Sequence, residues 1–461
     1  MLNLKEYQTR PKRLADYLPW AMLAAPGVVL NKDGSFQRTI RYRGPDLESA
    51  SESELLSFTA RVNNVLKRFA SGWALFFEAA REHANDYPAS TFTDNVAWLV
   101  DEERRAAFET GGAHFESACY LTFAWAPPSD RTRKGEAVFL TRDGVEKPTS
   151  AQEHLAHFIR ETDRAIDLLA MLLPQCERLD DSGTLTYLHG SISTRRHEVA
   201  APETPIFLDA LLADCGLTGG LEPMLGDDHL RIVSVRGFPP ASEPGFLDAL
   251  NRLRVAYRWT TRFIALDKAA ATKEITKYRR QWFAKRKSIA AIVKETLFNE
   301  ESILLDADAD NKAADADAAL QELGADDVAF GYLTCAVIVS DVDASLADDK
   351  AKEIERVLNG RGFVAIRESV NAVDAFLGSL PGHLYANIRA PLVHTLNLAH
   401  LAPLSAVWAG ETWNDHLNAP PLIQATTHET TPFRLSTHIG DVGHAMIVGP
   451  TGAGKSVLLD L

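Results

Sequence analysis

The sequence predicts an α/β protein, and two alternating patterns support this fold class. Short runs of Val, Ile, Leu and aromatic residues, bounded by turn-forming residues, are typical of strands. Between them lie longer segments whose apolar residues recur every three or four positions, as in an amphipathic helix. The chain has 461 residues, 46% hydrophobic and 24% charged, which is ordinary globular composition and enough for roughly three domains.

The first strands are predicted to form a hairpin. Val28–Leu30 and Ser35–Arg41 flank Asp33-Gly34, a pair that favours the tight turns joining twisted strands. The same apolar and aromatic pattern predicts further strands at 73–79, 117–125, 230–235, 257–266, 332–339 and 363–367.

Helices are predicted where a capping residue precedes an apolar stripe. Ser51 with Glu54 forms a capping box for a helix over 52–69, and Ser150 with Glu153 opens a helix that ends near Leu173. Two further helices are predicted at 244–253 and 344–359, the second with Gly360 as its C′ cap. Since helices and strands alternate along most of the chain, its body is predicted to be mixed α and β.

The strongest functional signal is a phosphate-loop motif, G-x-x-x-x-G-K-[ST], at 449–456. An apolar run at 444–448 is predicted to be the strand before it, and Ser456–Leu459 opens with residues compatible with a helix. Glycines in such a loop let successive N–H groups point at phosphate oxygens. Lys455 is expected to reach the β and γ phosphates of ATP, and the Ser456 hydroxyl to ligate Mg²⁺.

The predicted nucleotide-contacting residues share this one segment and are Gly449, Pro450, Thr451, Gly452, Ala453, Gly454, Lys455, Ser456 and Val457. Phosphoryl transfer also needs an acidic residue on a later strand, and only five residues follow the motif. We therefore expect no catalytic residue within this chain, weak nucleotide binding and no hydrolysis. The chain is interpreted as a piece of a longer ATPase.

Net charge and cysteine spacing limit which partners, metals and cellular compartment the sequence favours. The 48 basic and 62 acidic residues give a net charge of −14, which disfavours sequence-independent DNA binding by the whole molecule. The four cysteines are far apart and have no metal-binding spacing, which favours a reducing cytoplasm and no structural zinc. No apolar run is long enough to span a membrane, so any membrane contact is expected to be peripheral.

One segment has strongly polarised charge. Residues 268–294 contain nine basic residues and one acidic residue, whereas 295–317 contain eight acidic residues and one basic residue. One interpretation is a solvated basic helix partly neutralised by the acidic helix that follows. The alternative is docking on anionic lipid or on a protein partner.

Two metal-like patterns are weak. Residues 306–317 resemble a calcium loop, but position six is Asn311 rather than Gly and position twelve is Asp317 rather than Glu. His154 and His157 lie three residues apart on a predicted helix without a further ligand cluster, so we expect them at the surface or the edge of the core.

Several segments together resemble the N-terminal part of TrbE-type ATPases, the VirB-type motors of conjugation and type IV secretion. They run from one end of the chain to the other, and the last is the most specific: 14–20 (LADYLPW), 27–36 (GVVLNKDGSF), 42–47 (YRGPDL), 376–382 (FLGSLPG), 431–434 (TPFR) and 441–459 (DVGHAMIVGPTGAGKSVLL). The resemblance implies a bacterial ATPase that is cytoplasmic, peripheral to the inner membrane, and uses ATP and Mg²⁺.

The resemblance also implies architecture and partners. Residues 1–400 would form an α+β N-terminal domain, divisible into 1–225 and 226–400, followed by a linker over 401–425. Residues 426–461 would form the start of a RecA-like P-loop domain. The expected partners are secretion-channel and pilus-assembly components and further copies of the chain in a hexamer, without direct sequence-specific nucleic-acid binding.

Two other classes of protein remain open. A DNA-translocating coupling-type motor would share the phosphate loop, although transmembrane helices near the N-terminus would be expected for it. A non-catalytic assembly module that contacts channel partners would be the better description if the chain does not bind nucleotide. A nucleotide-binding assay distinguishes the module from a nucleotide-dependent motor.

Overall fold

The computed structural model of the chain describes residues 13–46, 49–128, 151–239, 241–286, 307–386, 389–427, 430–438 and 440–460. The strands, numbered in chain order, are β1 (Trp20–Ala25), β2 (Val28–Asn31), β3 (Phe36–Arg43), β4 (Trp73–His83), β5 (Phe115–Trp125), β6 (Gln175–Arg178), β7 (Leu217–Thr218), β8 (Met224–Leu225), β9 (Asp228–Gly237), β10 (Tyr257–Ala265), β11 (Phe330–Asp341), β12 (Val364–Arg367), β13 (Leu392–His394), β14 (Ile423–Thr426) and β15 (Pro432–Leu435). The α-helices are α1 (Leu14–Tyr17), α2 (Glu52–Leu66), α3 (Asn95–Thr110), α4 (Ala151–Ala170), α5 (Asp181–Ile192), α6 (Leu208–Leu212), α7 (Lys268–Arg286), α8 (Ala307–Gly324), α9 (Ala344–Gly360), α10 (Ala372–Gly378), α11 (Thr395–Leu401) and α12 (Lys455–Asp460).

Most of the described strands belong to one large sheet. Its order is β1-β2-β3-β5-β4-β10-β11-β9-β8-β7, with β6 on β3, β12 on β9 and β13 on β11. The pairs β2–β3, β3–β5, β10–β11 and β11–β9 are antiparallel. β14 and β15 form a separate antiparallel pair. The predicted α/β class is confirmed.

The elements with strong local signals form as predicted. β2 and β3 pair antiparallel, and Gly34 in the turn between them has a φ of 84°. The capping box of α2 is present, because Ser51 and Glu54 each accept a hydrogen bond from the other's backbone N–H. Strands are also present at the other six predicted positions. Ser150, the other predicted cap, lies outside the described residues.

Two predicted helix features are wrong. The segment 244–253 contains only a 3₁₀ turn at Asp248–Arg252. Gly245, near the predicted helix start, has a φ of 66°, which no α-helix accommodates. Gly360 is not the C′ residue of α9 but its last helical residue. The left-handed position belongs to Gly362, whose φ is 83°. The sequence patterns also did not predict α3 or β1.

The chain divides into two compact units. The first comprises Met1–Ala80, Ala118–Leu250 and Tyr257–Ala406. The second comprises Arg81–Ser117, Asn251–Ala256 and Val407–Leu461. The division into domains at 1–400, 401–425 and 426–461 stays a prediction.

The first unit contains several apolar clusters. One of them joins α1, β1, α5, α6, β9 and α10 around residues such as Trp20, Leu188, Ile232 and Phe376. An aromatic cluster joins Phe69, which follows α2, to rings on α4, β3, β4 and β5, with ring centroids 5.0 to 5.9 Å apart. A smaller cluster packs α7 on α8 through Ile275.

A buried ion pair lies in the same unit. Glu78 on β4 accepts two hydrogen bonds of 2.7 Å from the guanidinium of Arg258 on β10. Tyr187 on α5 donates its hydroxyl to Glu78 at 3.2 Å, and the Ser191 carbonyl accepts from Arg258 at 2.9 Å. Burial raises the pKa of Tyr187, so its hydroxyl stays protonated and can donate.

Candidate nucleotide-binding loop

The predicted phosphate loop, residues 449–456, is an exposed turn that leads into α12. Gly452 and Gly454 have φ of 85° and 78°, in the left-handed region that residues with a Cβ rarely adopt. A Cβ built at either glycine meets no heavy atom within 4 Å. Backbone conformation, rather than crowding, therefore requires glycine at these two positions.

Lys455 is held across this turn. Its Nζ donates to the carbonyl oxygens of Gly449 and Pro450, both at 2.8 Å. The Ala453 N–H donates to the Pro450 carbonyl at 3.3 Å. The structure thus brings the predicted lysine and the loop backbone together in one compact turn, with the ammonium group beside the first two residues of the motif.

The two elements predicted to flank the loop differ in outcome. α12 confirms the predicted helix after the loop. The predicted strand at 444–448 is wrong: this segment is irregular, with Met446 87% and Val448 80% exposed. Since a strand needs a neighbour to satisfy its backbone groups, and none of the described strands pairs with 444–448, the apolar run alone does not form one.

A hairpin precedes the loop within the second compact unit. β14 and β15 pair from Ile423 opposite Leu435 to Thr426 opposite Pro432. The Gln424 side chain, 3% exposed, donates to the Asp86 carbonyl at 2.8 Å. The hairpin is thereby attached to the segment 81–117, which lies far earlier in the sequence.

Two arginines make further attachments in this unit, and the sequence patterns assigned neither of them a role. Arg81 donates to the hydroxyl of Thr430 at 2.7 Å, and Arg434 donates to the carboxylate of Glu116 at 2.9 Å. The Phe115 N–H donates to the Thr430 carbonyl at 2.9 Å. Arg434 ends the TPFR segment noted above, which was the only sequence signal for this cluster.

The basic segment and its acidic successor are partly described. α7 covers 268–286, and it packs against α8 through the cluster around Ala271, Ile275 and Leu323. Lys268 pairs with Asp326 at 2.7 Å, whereas Lys273 and Lys277 are exposed. Residues 287–294 and Asp306, which belong to the basic run and the calcium-like pattern, lie outside the described residues.

The histidines predicted at the core edge contact an aromatic ring. His154 and His157 lie 6.0 and 5.0 Å from the Trp125 ring centroid. In the parts of the chain that the structure describes, no three His, Cys, Asp or Glu side chains are grouped so that they could hold a metal ion. Nor is any described helix both long and apolar enough to cross a membrane.

Two family profiles match separate parts of the chain. "Type IV secretion system ATPase VirB4/TrbE, N-terminal domain" matches residues 27–133. "CagE, TrbE, VirB family, component of type IV transporter system" matches residues 292–389.

Individual proteins match over longer stretches. The conjugal transfer protein TrbE of Rhizobium radiobacter is 35% identical over all of this chain and 58% of its own length. A shorter protein of Sinorhizobium fredii, described as a probable conjugal transfer protein TrbE, is 34% identical over 31% of this chain and 99% of its own length. The type IV secretion protein virB4 of Bartonella henselae is 23% identical over 96% of this chain and 56% of its own length. The chain thus spans somewhat more than half the length of the first and third of these proteins.

Proposed function

Because the chain belongs to the TrbE and VirB4 family of type IV secretion ATPases, we propose that it binds ATP with Mg²⁺ through residues 449–456 and supplies the nucleotide site of a conjugation or secretion motor. The observation that carries the proposal is the conformation of this loop. Gly452 and Gly454 are left-handed, and Lys455 lies over the turn.

The residues present fit a nucleotide phosphate. The space beside Gly452 and Gly454 is open, so an anion can approach the backbone there. Lys455 would exchange its two loop carbonyls for phosphate oxygens, which are stronger acceptors because they are charged. Ser456, at the start of α12, would supply a hydroxyl ligand for Mg²⁺.

In this proposal, the residues of this chain bind and orient the nucleotide and its metal ion, and none of them takes part in bond breaking. Backbone N–H groups of 449–456 hold the phosphates, Lys455 neutralises their charge, and Ser456 orients the metal. ATP supplies a phosphoanhydride bond whose hydrolysis releases free energy. Thr451, Ala453 and Val457 complete the proposed contacts, with Pro450 setting the direction of the turn.

Nucleotide titration tests the proposal. A fluorescent ADP analogue with Mg²⁺ is titrated into the protein and into Lys455→Ala, with Lys352→Ala as the matched control. Lys352 is also an exposed helical lysine with an acceptor, Asp349, at 2.7 Å, but it lies outside the loop. We expect Lys455→Ala to weaken binding tenfold or more and Lys352→Ala to leave it unchanged, because a charge-assisted hydrogen bond contributes about 1.5–3 kcal/mol.

The titration also distinguishes a nucleotide-dependent motor from a non-catalytic assembly module. Equal affinity of wild type and Lys455→Ala would refute the nucleotide site and favour the assembly module.

We further propose that the protein is cytoplasmic, peripheral to the inner membrane, and acts as a hexamer with channel and pilus-assembly components. The relatives' names, conjugal transfer protein TrbE and type IV secretion protein virB4, support the choice of machinery.

Helix α7 is the proposed peripheral contact. Ala271 and Ile275 pack against α8, and Lys273 and Lys277 are exposed. We propose that this basic surface contacts anionic lipid at the inner membrane. An attraction of this kind weakens as salt rises, because the screening length is about 8 Å at physiological ionic strength.

Vesicle sedimentation tests the contact. Lys273→Glu with Lys277→Glu should reduce binding to phosphatidylglycerol vesicles by tenfold or more, since each surface lysine contributes about 1 kcal/mol and reversal doubles the change. Lys352→Glu together with Arg356→Glu on α9 is the matched double reversal, since both residues are exposed and lie four positions apart. Equal sedimentation of both variants would show that α7 is a solvated face balanced by its acidic neighbour.

A further inference from the structure

Two residues from the N-terminal half are built into the unit that carries the phosphate loop. We propose that Arg81 and Glu116 are positioning residues for that loop, and that nucleotide binding and the attachment of 81–117 to the β14–β15 hairpin stabilise each other. The inference rests on the proposed function, since it assigns a control element to that nucleotide site. We call the contacts of Arg81, Phe115 and Glu116 with Thr430 and Arg434 the hairpin attachment.

Arg81 forms the buried part of the attachment. The residue is 2% exposed, and its guanidinium donates to the Leu253 carbonyl, the Ser117 hydroxyl and the Thr430 hydroxyl. The guanidinium carbon also lies 5.5 Å from the ring centroid of Phe115. One side chain thereby connects the three chain segments of the second unit, and a buried guanidinium that loses an acceptor is costly.

Glu116 and Arg434 form the charged part. The Arg434 side chain is 8% exposed and donates to Glu116 at 2.9 Å and to the Gly410 carbonyl at 3.2 Å. Its backbone N–H donates to the Ala409 carbonyl at 2.6 Å. Removing the Glu116 carboxylate would leave Arg434 largely buried without its counter-charge, which loosens β15.

The chain from β15 towards the loop is held at further points. Asn414 donates to the Ser436 hydroxyl at 2.7 Å, and the rings of His416 and His438 stack with centroids 5.9 Å apart. The exposed segment 440–448 and the phosphate loop follow. The attachment therefore holds β15, the last strand before the nucleotide site, to residues 81–117, and the chain runs from β15 directly towards the loop.

Coupling between the attachment and the site must be reciprocal at equilibrium. If a held hairpin favours the loop conformation that binds nucleotide, bound nucleotide must equally stabilise the hairpin. The Phe115 N–H, bonded to the Thr430 carbonyl at 2.9 Å, reports this directly. Its hydrogen exchange should slow when nucleotide binds, because exchange requires that bond to open.

The test combines nucleotide affinity with hydrogen exchange at residue 115 in four variants of the intact chain. Thr430→Val removes the hydroxyl that accepts from Arg81 at nearly constant volume, and Glu116→Ala removes the carboxylate. Thr430→Ser restores a hydroxyl. Glu102→Ala is the matched control, since Glu102 pairs with Arg105 at 3.5 Å on the exposed surface of the same segment.

We expect Thr430→Val and Glu116→Ala each to weaken binding of the fluorescent ADP analogue by about fivefold or more, the lower range of site-to-site coupling. Both should also abolish the nucleotide-dependent protection at residue 115. Thr430→Ser and Glu102→Ala should stay within twofold of wild type and keep the protection. Circular dichroism verifies folding, and Thr430→Val keeps the test decisive if Glu116→Ala does not fold.

The outcomes separate this inference from the proposed function. If wild type does not bind nucleotide in a Lys455-dependent way, the proposed function fails and this inference fails with it. If wild type binds in that way, but folded Thr430→Val binds within twofold of it and keeps the protection at residue 115, the inference alone is overturned. Weakened binding without any nucleotide-dependent change at residue 115 in wild type also overturns it, because the coupling would then not be reciprocal.

Discussion

The buried pair of Glu78 and Arg258 allows a stability prediction with a definite magnitude. Glu78 accepts two hydrogen bonds of 2.7 Å from Arg258, and the two side chains are 4% and 9% exposed. Replacing Glu78 by leucine leaves the guanidinium buried with its counter-charge removed. The hydroxyl of Tyr187 also loses its acceptor at 3.2 Å.

The expected cost of Glu78→Leu is large. Breaking a buried ion pair by removing one partner costs about 3–5 kcal/mol, and an unsatisfied buried hydroxyl costs about 1–3 kcal/mol more. The double variant Glu78→Leu with Arg258→Met removes both charges and should be much closer to wild type, because burying two charges has its own desolvation penalty. The single variant should therefore be the less stable of the two.

Urea unfolding at pH 7, followed by circular dichroism, measures these differences. Asp349→Ala is the control, since it removes an exposed ion pair with Lys352 and should cost under about 1 kcal/mol. A Glu78→Leu variant within 1 kcal/mol of wild type, or a double variant less stable than the single one, would refute the reasoning. Either result would mean that water or rearrangement satisfies Arg258.

Three further predictions concern single positions. Burial lowers the pKa of His383 and of His394 from 6.5 to about 4, so the unfolded chain binds more protons between these values and stability falls as pH drops through 6.5. Each histidine should cost about 2 kcal/mol at pH 5 relative to pH 7, and urea midpoints that do not fall would contradict this. Gly382→Ala should destabilise by about 1–3 kcal/mol in the same assay, because φ is 80° and the added Cβ would clash with the side chain of Gln37; an unchanged midpoint would show that the loop adjusts. Asp343→Ala should cost about 1 kcal/mol by removing the carboxylate that caps α9, and a thermal midpoint equal to that of wild type would show that water replaces the cap.

Local patterns were predictable where the determining contacts are close in sequence. The β2–β3 hairpin follows from Asp33-Gly34, and the start of α2 follows from Ser51 and Glu54, whose bonds span three residues. At 244–253 the predicted helix could not begin as expected because Gly245 is left-handed, which periodicity does not reveal. The strand at 444–448 failed because an apolar run becomes a strand only when a partner lies beside it.

The sequence by itself determined where the candidate nucleotide site lies, because glycines, a lysine and a serine at fixed spacing follow from what a phosphate requires of the backbone. It also determined the α/β class and the family, through motifs distributed along the whole chain. Only the tertiary structure decided which distant residues contact the hairpin that precedes the site. Arg81 lies 349 positions from Thr430, and Glu116 lies 318 positions from Arg434. No periodicity or short spacing relates such residues, because their contact forms only when segments far apart in sequence come together within the second unit.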